Sequence, residues 1–196
     1  MPRICIFGDS ITWGSYDLEK GGWVERLKVD LMNSTEGETA VYNVGISGDK
    51  VGDVLRRFDA EMKARRTEVV QLIVLAIGIN DSPHRDYEGT DLGEFEQSFR
   101  NLIGMANDYS GKLIIVTPTN VDDFHPAQTY KKRKDLEIKK YVDIIIKITK
   151  ENKLPLVDVF GLMTKEDLKI DGLHPLASGH EKIYQEVKKV IDQCLK

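Results

Sequence analysis

The chain of 196 residues is long enough for one domain with a substantial core, and we expect a single domain over residues 1–196. It carries 28 Lys and Arg against 32 Asp and Glu, a net charge of −4, so electrostatics give no reason to expect a nucleic-acid partner. No apolar run approaches the ~18 residues that a membrane-spanning helix needs, so we expect no membrane insertion.

Strand-like and helix-like runs alternate along the chain. The predicted strands are short apolar runs, namely Ile4–Phe7, about Ala40–Val44, Leu72–Ile77, Leu113–Val116 and Leu156–Val159. The predicted helices carry apolar stripes at steps of three and four, namely Trp23–Leu31, Val51–Met62, Phe95–Ala106, about Lys131–Glu151 and a closing helix that includes Ile183–Leu195. This alternation predicts an α/β protein, a three-layer α/β/α sandwich around a five-stranded parallel sheet.

Four polar, glycine-bearing segments interrupt this pattern near predicted strand ends. They are Gly8–Thr12, Asn43–Asp49, Gly78–Asp81 and Asp171–Pro175. Connections that leave the carboxyl ends of parallel strands open on one edge of the sheet. We therefore expect these segments to meet, although they are far apart in sequence.

The residues in these segments suit acyl transfer. Ser10 can attack a carbonyl once a base takes its proton, and His174 is a natural base because imidazole titrates near neutrality. Asp171, three positions before His174, is close enough in a turn to orient the ring and stabilise the imidazolium. Backbone N–H groups at Gly48 and Ser10, with the Asn80 amide, would serve as oxyanion donors.

Each of these residues also has a structural interpretation. Ser10 can be a turn former, and Gly45 and Gly48 can serve backbone turns. Asn80 and its neighbour can be a cap or turn pair, and His174 can be a structural loop histidine. The joint occurrence of all four segments, in this order, favours the catalytic interpretation.

The sequence resembles the SGNH hydrolases, also called the GDSL esterase/lipase family. Its blocks are Gly-Asp-Ser with a following Thr-x-Gly, a central glycine segment, Gly-x-Asn-Asp and Asp-x-x-His-Pro, matched here by Gly8–Gly14, Asn43–Gly48, Gly78–Asp81 and Asp171–Pro175. The resemblance implies a flavodoxin-like fold of this family. It also implies Ser10 as nucleophile, His174 as base, Asp171 as orienter, and Ser10, Gly48 and Asn80 as oxyanion donors.

The same blocks refine three details. Gly48 matches the oxyanion glycine better than Gly45 does, and Asp9 and Asp81 are expected to support the site. Leu176 departs from the family pattern, because relatives often carry a polar residue there. This departure concerns local contacts near His174 rather than the base itself.

The remaining charged and histidine residues are expected to have structural or peripheral roles. The basic run Lys131–Lys134 is expected to be the solvated start of a helix, and His180 a capping or surface residue of the closing helix. His84 and His125 lie in polar connections that are expected to border the pocket, where either could contact substrate. No histidines have metal-ligand spacing, so neither a metal nor a cofactor is expected. Cys5, inside a predicted strand, is expected to be a core residue.

These observations predict a metal-independent serine esterase that forms an acyl-enzyme on Ser10. Its substrate would be a small-molecule ester with a short acyl group, because the connections expected to rim the site, Ser82–Thr90 and Thr119–Tyr130, are polar. An acyltransferase that uses the same site is the first alternative, and a non-catalytic carbohydrate- or lipid-binding module is the second. The early first strand leaves no room for a signal peptide, and with only two cysteines this favours the cytoplasm.

Overall fold

A parallel sheet with helices on both faces forms the centre of the protein. The computed structural model describes residues 2–65, 71–84, 87–109, 112–123, 133–169 and 171–195. The strands are β1 (Arg3–Gly8), β2 (Ala40–Gly45), β3 (Gln71–Ala76), β4 (Lys112–Val116) and β5 (Leu156–Val157). The α-helices are α1 (Ser10–Trp13), α2 (Trp23–Ser34), α3 (Val51–Arg65), α4 (Leu92–Tyr109), α5 (Asp135–Glu151) and α6 (Ala177–Cys194), and a short 3₁₀ turn covers Lys165–Asp167.

The strand order is β2-β1-β3-β4-β5, and every pairing is parallel. This is the doubly wound order of flavodoxin-like folds, so the predicted fold class is confirmed. The direction in which successive strands are added to the sheet reverses between β1 and β3, because the connection after β1 leads toward one edge of the sheet and the connection after β3 leads toward the other. A ligand crevice is expected at this point, and both strands end there in predicted site segments.

Alternating side chains of each strand contact different helical layers. On β1, Ile4 and Ile6 pack in a cluster with helices α2 and α6, whereas Cys5 and Phe7 pack in a second cluster with α3 and α4. Trp23 is buried in the first cluster, and Phe58 in the second. Helix α5 contributes residues to both clusters. The central strands are thus apolar on both faces, as their uninterrupted apolar sequences predicted.

Two predicted boundaries are wrong for local reasons. Strand β5 ends at Val157 instead of Val159, because the N–H of Val159 donates to Thr117 Oγ1 at 2.9 Å in place of a strand partner. Helix α5 begins at Asp135, since its N-cap residue Lys134 has an extended backbone. Of the predicted first residues of that helix, 131 and 132 lie outside the described residues.

None of the helices in the described parts of the chain is long and apolar enough to cross a membrane.

Candidate active site

The turn after β1 places Ser10 at the start of α1. Asp9 is the N-cap residue of this helix, and its carboxylate accepts the N–H of Ile11 at 2.9 Å. Gly14 ends the helix with a left-handed backbone, and its N–H donates to the Ser10 carbonyl. The single helical turn that begins at Ser10 is therefore capped at both ends, and it lies just beyond the carboxyl end of β1.

The structure brings together the three side chains that the sequence analysis combined. Ser10 Oγ lies 2.9 Å from His174 Nε2, and His174 Nδ1 lies 2.8 Å from Asp171 Oδ2. The other Asp171 oxygen accepts the backbone N–H groups of Leu173 and His174, each at 3.0 Å. This arrangement can pass a proton from a serine hydroxyl to an imidazole whose tautomer is set by the carboxylate.

Asp171 is held in its ionised form. Partial burial by itself raises the pKa of this carboxyl, but the hydrogen bonds from the His174 ring and from the N–H groups of His174 and Leu173 outweigh burial. The pKa of Asp171 is therefore held well below its usual range. A carboxylate that is ionised throughout the neutral range can stabilise a positive charge on the neighbouring ring.

The loop after β2 carries Gly48 with a positive φ of 89°, and this residue is exposed. No hydrogen bond engages its N–H within the described parts of the chain. By contrast, the N–H of Gly45 donates to the Asn43 side chain at 3.1 Å, and a Cβ on Gly45 would lie 2.5 Å from the Trp13 nitrogen. Close packing of β2 against α1 thus explains why residue 45 is a glycine, whereas the Gly48 N–H has no hydrogen-bond partner among the described residues.

Asn80 links this loop to the turn after β3. Its Nδ2 donates to the Asp49 carbonyl at 3.1 Å, and its Oδ1 accepts from Arg133 at 3.0 Å. Arg57 also stabilises this loop, because it donates hydrogen bonds to the Asp49 carboxylate and to the Val44 carbonyl. One N–H of the Asn80 amide is therefore donated to the loop, and the second has no acceptor among the described residues.

The next residue, Asp81, acts on helix α3. It is fully buried, and its two oxygens accept the N–H of Val51 at 3.0 Å and the hydroxyl of Thr90 at 2.9 Å. Burial raises the pKa of Asp81 to about 6. The Asp81 carboxylate thus accepts an N–H that has no partner within the first turn of α3. Through this bond Asp81 connects the start of α3 to the turn that contains Asn80.

Arg133 is a residue that the sequence analysis missed. The prediction that Lys131–Lys134 forms a solvated helix start is wrong for Arg133, which is 2% exposed. The Arg133 guanidinium donates to the carbonyls of Ile79 and Ser82 as well as to Asn80. The sequence did not indicate this burial, because basic runs are usually exposed. Arg133 can be buried only because the carbonyls of Ile79 and Ser82, far away in sequence, accept its hydrogen bonds.

The prediction for His180 is also wrong. This residue is fully buried near the start of α6, and its ring nitrogens contact the Trp23 N–H at 3.3 Å and the Ser15 carbonyl at 3.1 Å. Burial lowers its pKa. A signal existed in the sequence, since His180 continues the apolar stripe of Ile183 and Val187 at helical spacing.

Tyr16 was not singled out by the sequence analysis, although it contacts the predicted base. Its ring centroid lies 5.1 Å from that of His174 in an edge-on arrangement, and the Lys169 ammonium lies 3.1 Å from the Tyr16 ring centroid. Tyr16 adopts a φ of 68°, which is rare for a bulky residue.

Exposed apolar side chains also flank the site. Trp13 ends the helix that Ser10 begins, Ile46 precedes Gly48 by two positions, and Leu176 follows His174 by two. Leu176 is the N-cap residue of α6, and its N–H donates to the Asp167 carbonyl at 2.7 Å. Exposed apolar side chains thus lie close in sequence to Ser10, Gly48 and His174.

Two further histidines had been predicted to border the pocket. His84 forms an antiparallel bridge with Tyr87, with backbone bonds of 2.8 and 2.9 Å, so its backbone is fixed. Its contact with substrate stays a prediction. His125 lies outside the described residues, as does most of the connection that contains it. Among the described residues no cluster of His, Cys, Asp and Glu could hold a metal ion.

Comparison with known proteins identifies the family of the chain. The model of the GDSL-like lipase/acylhydrolase family matches residues 6–182. The chain is 25% identical over 210 residues to the isoamyl acetate-hydrolyzing esterase of Saccharomyces cerevisiae, covering 97% of this chain and 86% of that protein. It is also 25% identical over 202 residues to the acetylxylan esterase of Geobacillus stearothermophilus, covering 91% and 88%.

A solved structure has the same fold. The lipase/acylhydrolase of Enterococcus faecalis superposes with a TM-score of 0.80 at 28% identity, covering 97% of this chain and 95% of that one.

Proposed function

The chain belongs to the GDSL-like lipase/acylhydrolase family and is a carboxylic ester hydrolase, and we propose that it works through an acyl-enzyme on Ser10. The observation that carries this proposal is the hydrogen-bonded series from Ser10 Oγ through His174 to Asp171, with separations of 2.9 and 2.8 Å. Both distances lie in the range that proton transfer requires.

In the first half of the reaction, His174 Nε2 takes the Ser10 proton as Oγ bonds to the ester carbonyl carbon. The carbonyl oxygen becomes an oxyanion, and the imidazolium is stabilised by the Asp171 carboxylate. His174 then returns the proton to the leaving alcohol as the bond from carbon to the alkoxy oxygen breaks. In the second half His174 takes a proton from a water molecule as the water oxygen bonds to the acyl carbon. His174 returns the proton to Ser10 Oγ as the bond from the acyl carbon to Oγ breaks, and the acid is released.

The oxyanion would be bound by the N–H groups of Ser10 and Gly48 and by Asn80 Nδ2. Three observations support this assignment. The Gly48 N–H has no partner among the described residues, and Asn80 has one N–H left after its bond to Asp49. Ser10 lies at the start of a helix, where N–H groups are free of intrahelical partners. Donors that are fixed before the reaction are worth several kcal/mol in such sites.

The preferred substrate would carry a short acyl group. The names of the two relatives differ in the alcohol, isoamyl alcohol in one and xylan in the other, and share the acetyl group. Trp13, Ile46 and Leu176 offer separate apolar contacts around the site. Such contacts suit a small ester better than a long acyl chain, which needs a continuous apolar groove.

A fluorophosphonate tests the nucleophile. It should label Ser10 and abolish hydrolysis of p-nitrophenyl acetate, and Ser10→Ala should be neither labelled nor active. Ser34→Ala is the matched control, because Ser34 is exposed at the end of α2. This variant should be labelled and should hydrolyse the ester as the wild type does. Peptide mapping that finds the label on another serine would refute the assignment.

The acyl preference is tested with p-nitrophenyl esters from acetate to palmitate. We expect the highest kcat/KM between acetate and butyrate, and a maximum at eight carbons or longer would contradict the proposal. An alcohol acceptor in the same assay distinguishes hydrolysis from acyl transfer, since hydrolysis releases free acid and transfer yields a new ester.

A cytoplasmic location belongs to the same proposal. Its support is that both cysteines are free thiols, Cys5 fully buried and Cys194 partly exposed, as is usual in reducing compartments. Fractionation of producing cells should find the activity with cytoplasmic markers, and activity in the culture medium of intact cells would contradict it.

A further inference from the structure

Arg133 is a buried cation that contacts the turn after β3 at several points. Its Nη1 donates to the Ile79 carbonyl at 2.5 Å, to the Ser82 carbonyl at 2.9 Å and to Ser82 Oγ at 2.8 Å. Its Nη2 donates to Asn80 Oδ1 at 3.0 Å. One guanidinium therefore holds the backbone on both sides of Asn80 and the Asn80 side chain as well.

The charge of Arg133 is retained in this environment. Burial lowers its pKa to about 10, and the carboxylates of Asp9 and Asp81 oppose the shift. Arg133 is thus protonated at neutral pH, and neither carboxylate bonds it directly among the contacts described above. Its Nη1 and Nη2 donors are directed to neutral carbonyl, amide and hydroxyl oxygens.

This contact decides which way the Asn80 amide points. An amide side chain has an oxygen that only accepts and a nitrogen that only donates. Arg133 has donors and no acceptor, so a reversed amide would place two donors against each other at 3.0 Å. The Asp49 carbonyl, which only accepts, selects the same orientation from the other end of the amide.

We propose that Arg133 is a positioning residue of the oxyanion hole, acting through the Asn80 amide. This inference rests on the proposed function, because it needs Asn80 Nδ2 as an oxyanion donor. Arg133 keeps the nitrogen on the side of the reacting carbonyl and draws electron density toward Oδ1, which makes the N–H groups stronger donors. Its contribution is therefore largest when the oxyanion forms, in the transition state.

The test is a double-mutant cycle between Arg133 and Asn80. Arg133→Met should lower kcat by about 10–100-fold and change KM by less than about threefold, since the lost interaction matters mainly in the transition state. Asn80→Ala should lower kcat by about 10²–10³-fold. The double variant should be no slower than Asn80→Ala within about threefold, because Arg133 then has no amide to act through.

A purely structural role gives a different result. In that case the effect of Arg133→Met on kcat would multiply onto that of Asn80→Ala in protein that circular dichroism shows to be folded. This outcome overturns the proposal. Lys134→Met is the matched control, because it removes a neighbouring but exposed charge and should leave kcat unchanged.

Arg133→Lys keeps the test decisive if Arg133→Met does not fold. Lysine retains the charge and donors but not the planar fork, so kcat should fall by less than in Arg133→Met and by at least about threefold. A wild-type kcat in Arg133→Lys would overturn the proposal. Failure of the proposed function is distinguishable, since then the wild-type protein would lack esterase activity or Ser10→Ala would keep it.

Discussion

The Tyr16 ring lies against the His174 imidazole, which we propose accepts the Ser10 proton. It lies edge-on to His174 at 5.1 Å between centroids, and Lys169 covers it at 3.1 Å. The strained φ of 68° indicates that the surrounding structure holds Tyr16 in place. Loss of the ring should therefore let the His174 side chain adopt other rotamers without changing its hydrogen-bonding groups.

We expect Tyr16→Ala to lower kcat by about tenfold, because small misplacements of a reacting group reduce rates steeply. Tyr16→Phe keeps the ring and should remain within about twofold of the wild type. Steady-state kinetics on p-nitrophenyl acetate compares the three proteins. An unchanged kcat in Tyr16→Ala would show that the ring does not restrain His174.

Single residues differ in how well the sequence predicts them. The meeting of Ser10, His174 and Asp171 could be predicted because four polar segments occur together, in one order, near the ends of predicted strands, although each segment alone also has a structural interpretation. Arg133 could not, because its burial depends on carbonyls of Ile79 and Ser82 that are more than fifty positions away. Tyr16 could not be predicted either, since no local sequence pattern indicates that its ring contacts His174, which lies near the other end of the chain.

At the scale of elements, the single turn of α1 depends on its N-cap residue. Asp9 is 3% exposed, and burial raises its pKa to about 6, although the N–H of Ile11 and the charges of His174 and Arg133 oppose the shift. The folded protein thus holds a proton on Asp9 more tightly than the unfolded chain does. Ionisation of Asp9 therefore destabilises the folded state as the pH rises from about 4, and this effect saturates above about 6.

Asp9→Asn should remove this pH dependence while it keeps a side-chain oxygen for the Ile11 N–H. The unfolding free energy of the variant, relative to the wild type, should rise by up to about 3 kcal/mol between pH 4 and pH 7.5, given a shift of about two pKa units. Urea denaturation at several pH values measures this difference. Asp108→Asn, at an exposed position of α4, should show no such rise. A constant difference for Asp9→Asn would contradict the expectation.

Elements were predictable where they are long and periodic. Helices α2 to α6 and the strands β1 to β4 lie within a few residues of their predicted ranges, because burial on one or both faces leaves a clear apolar pattern. Helix α1 was missed, since Ser10–Trp13 is too short for any periodicity. Strand β5 is shorter than predicted because the Thr117 side chain takes over its last backbone bond, which no local pattern encodes.

At the scale of the whole molecule, one sheet joins two apolar clusters. Neighbouring residues of β1 belong to different clusters, as Ile4 and Cys5 do, so neither cluster can be exposed without disturbing the strand. The candidate site depends on the same strands, because Ser10 follows β1 and Asn80 follows β3. The sequence could predict this meeting point from topology alone, once the strands were taken as parallel.

If residues 1–196 form the single domain that we propose, both clusters should unfold together. Trp23 fluorescence reports on the cluster with α2 and α6, and the Cys5 thiol reports on the cluster with α3 and α4. Cys194→Ser removes the second thiol, and Trp13→Phe removes the exposed tryptophan. In this double variant, fluorescence and pulse labelling of Cys5 should give the same urea midpoint. Midpoints that differ by more than the fitting error would mean that the two faces of the sheet unfold separately and that the chain is not one cooperative unit.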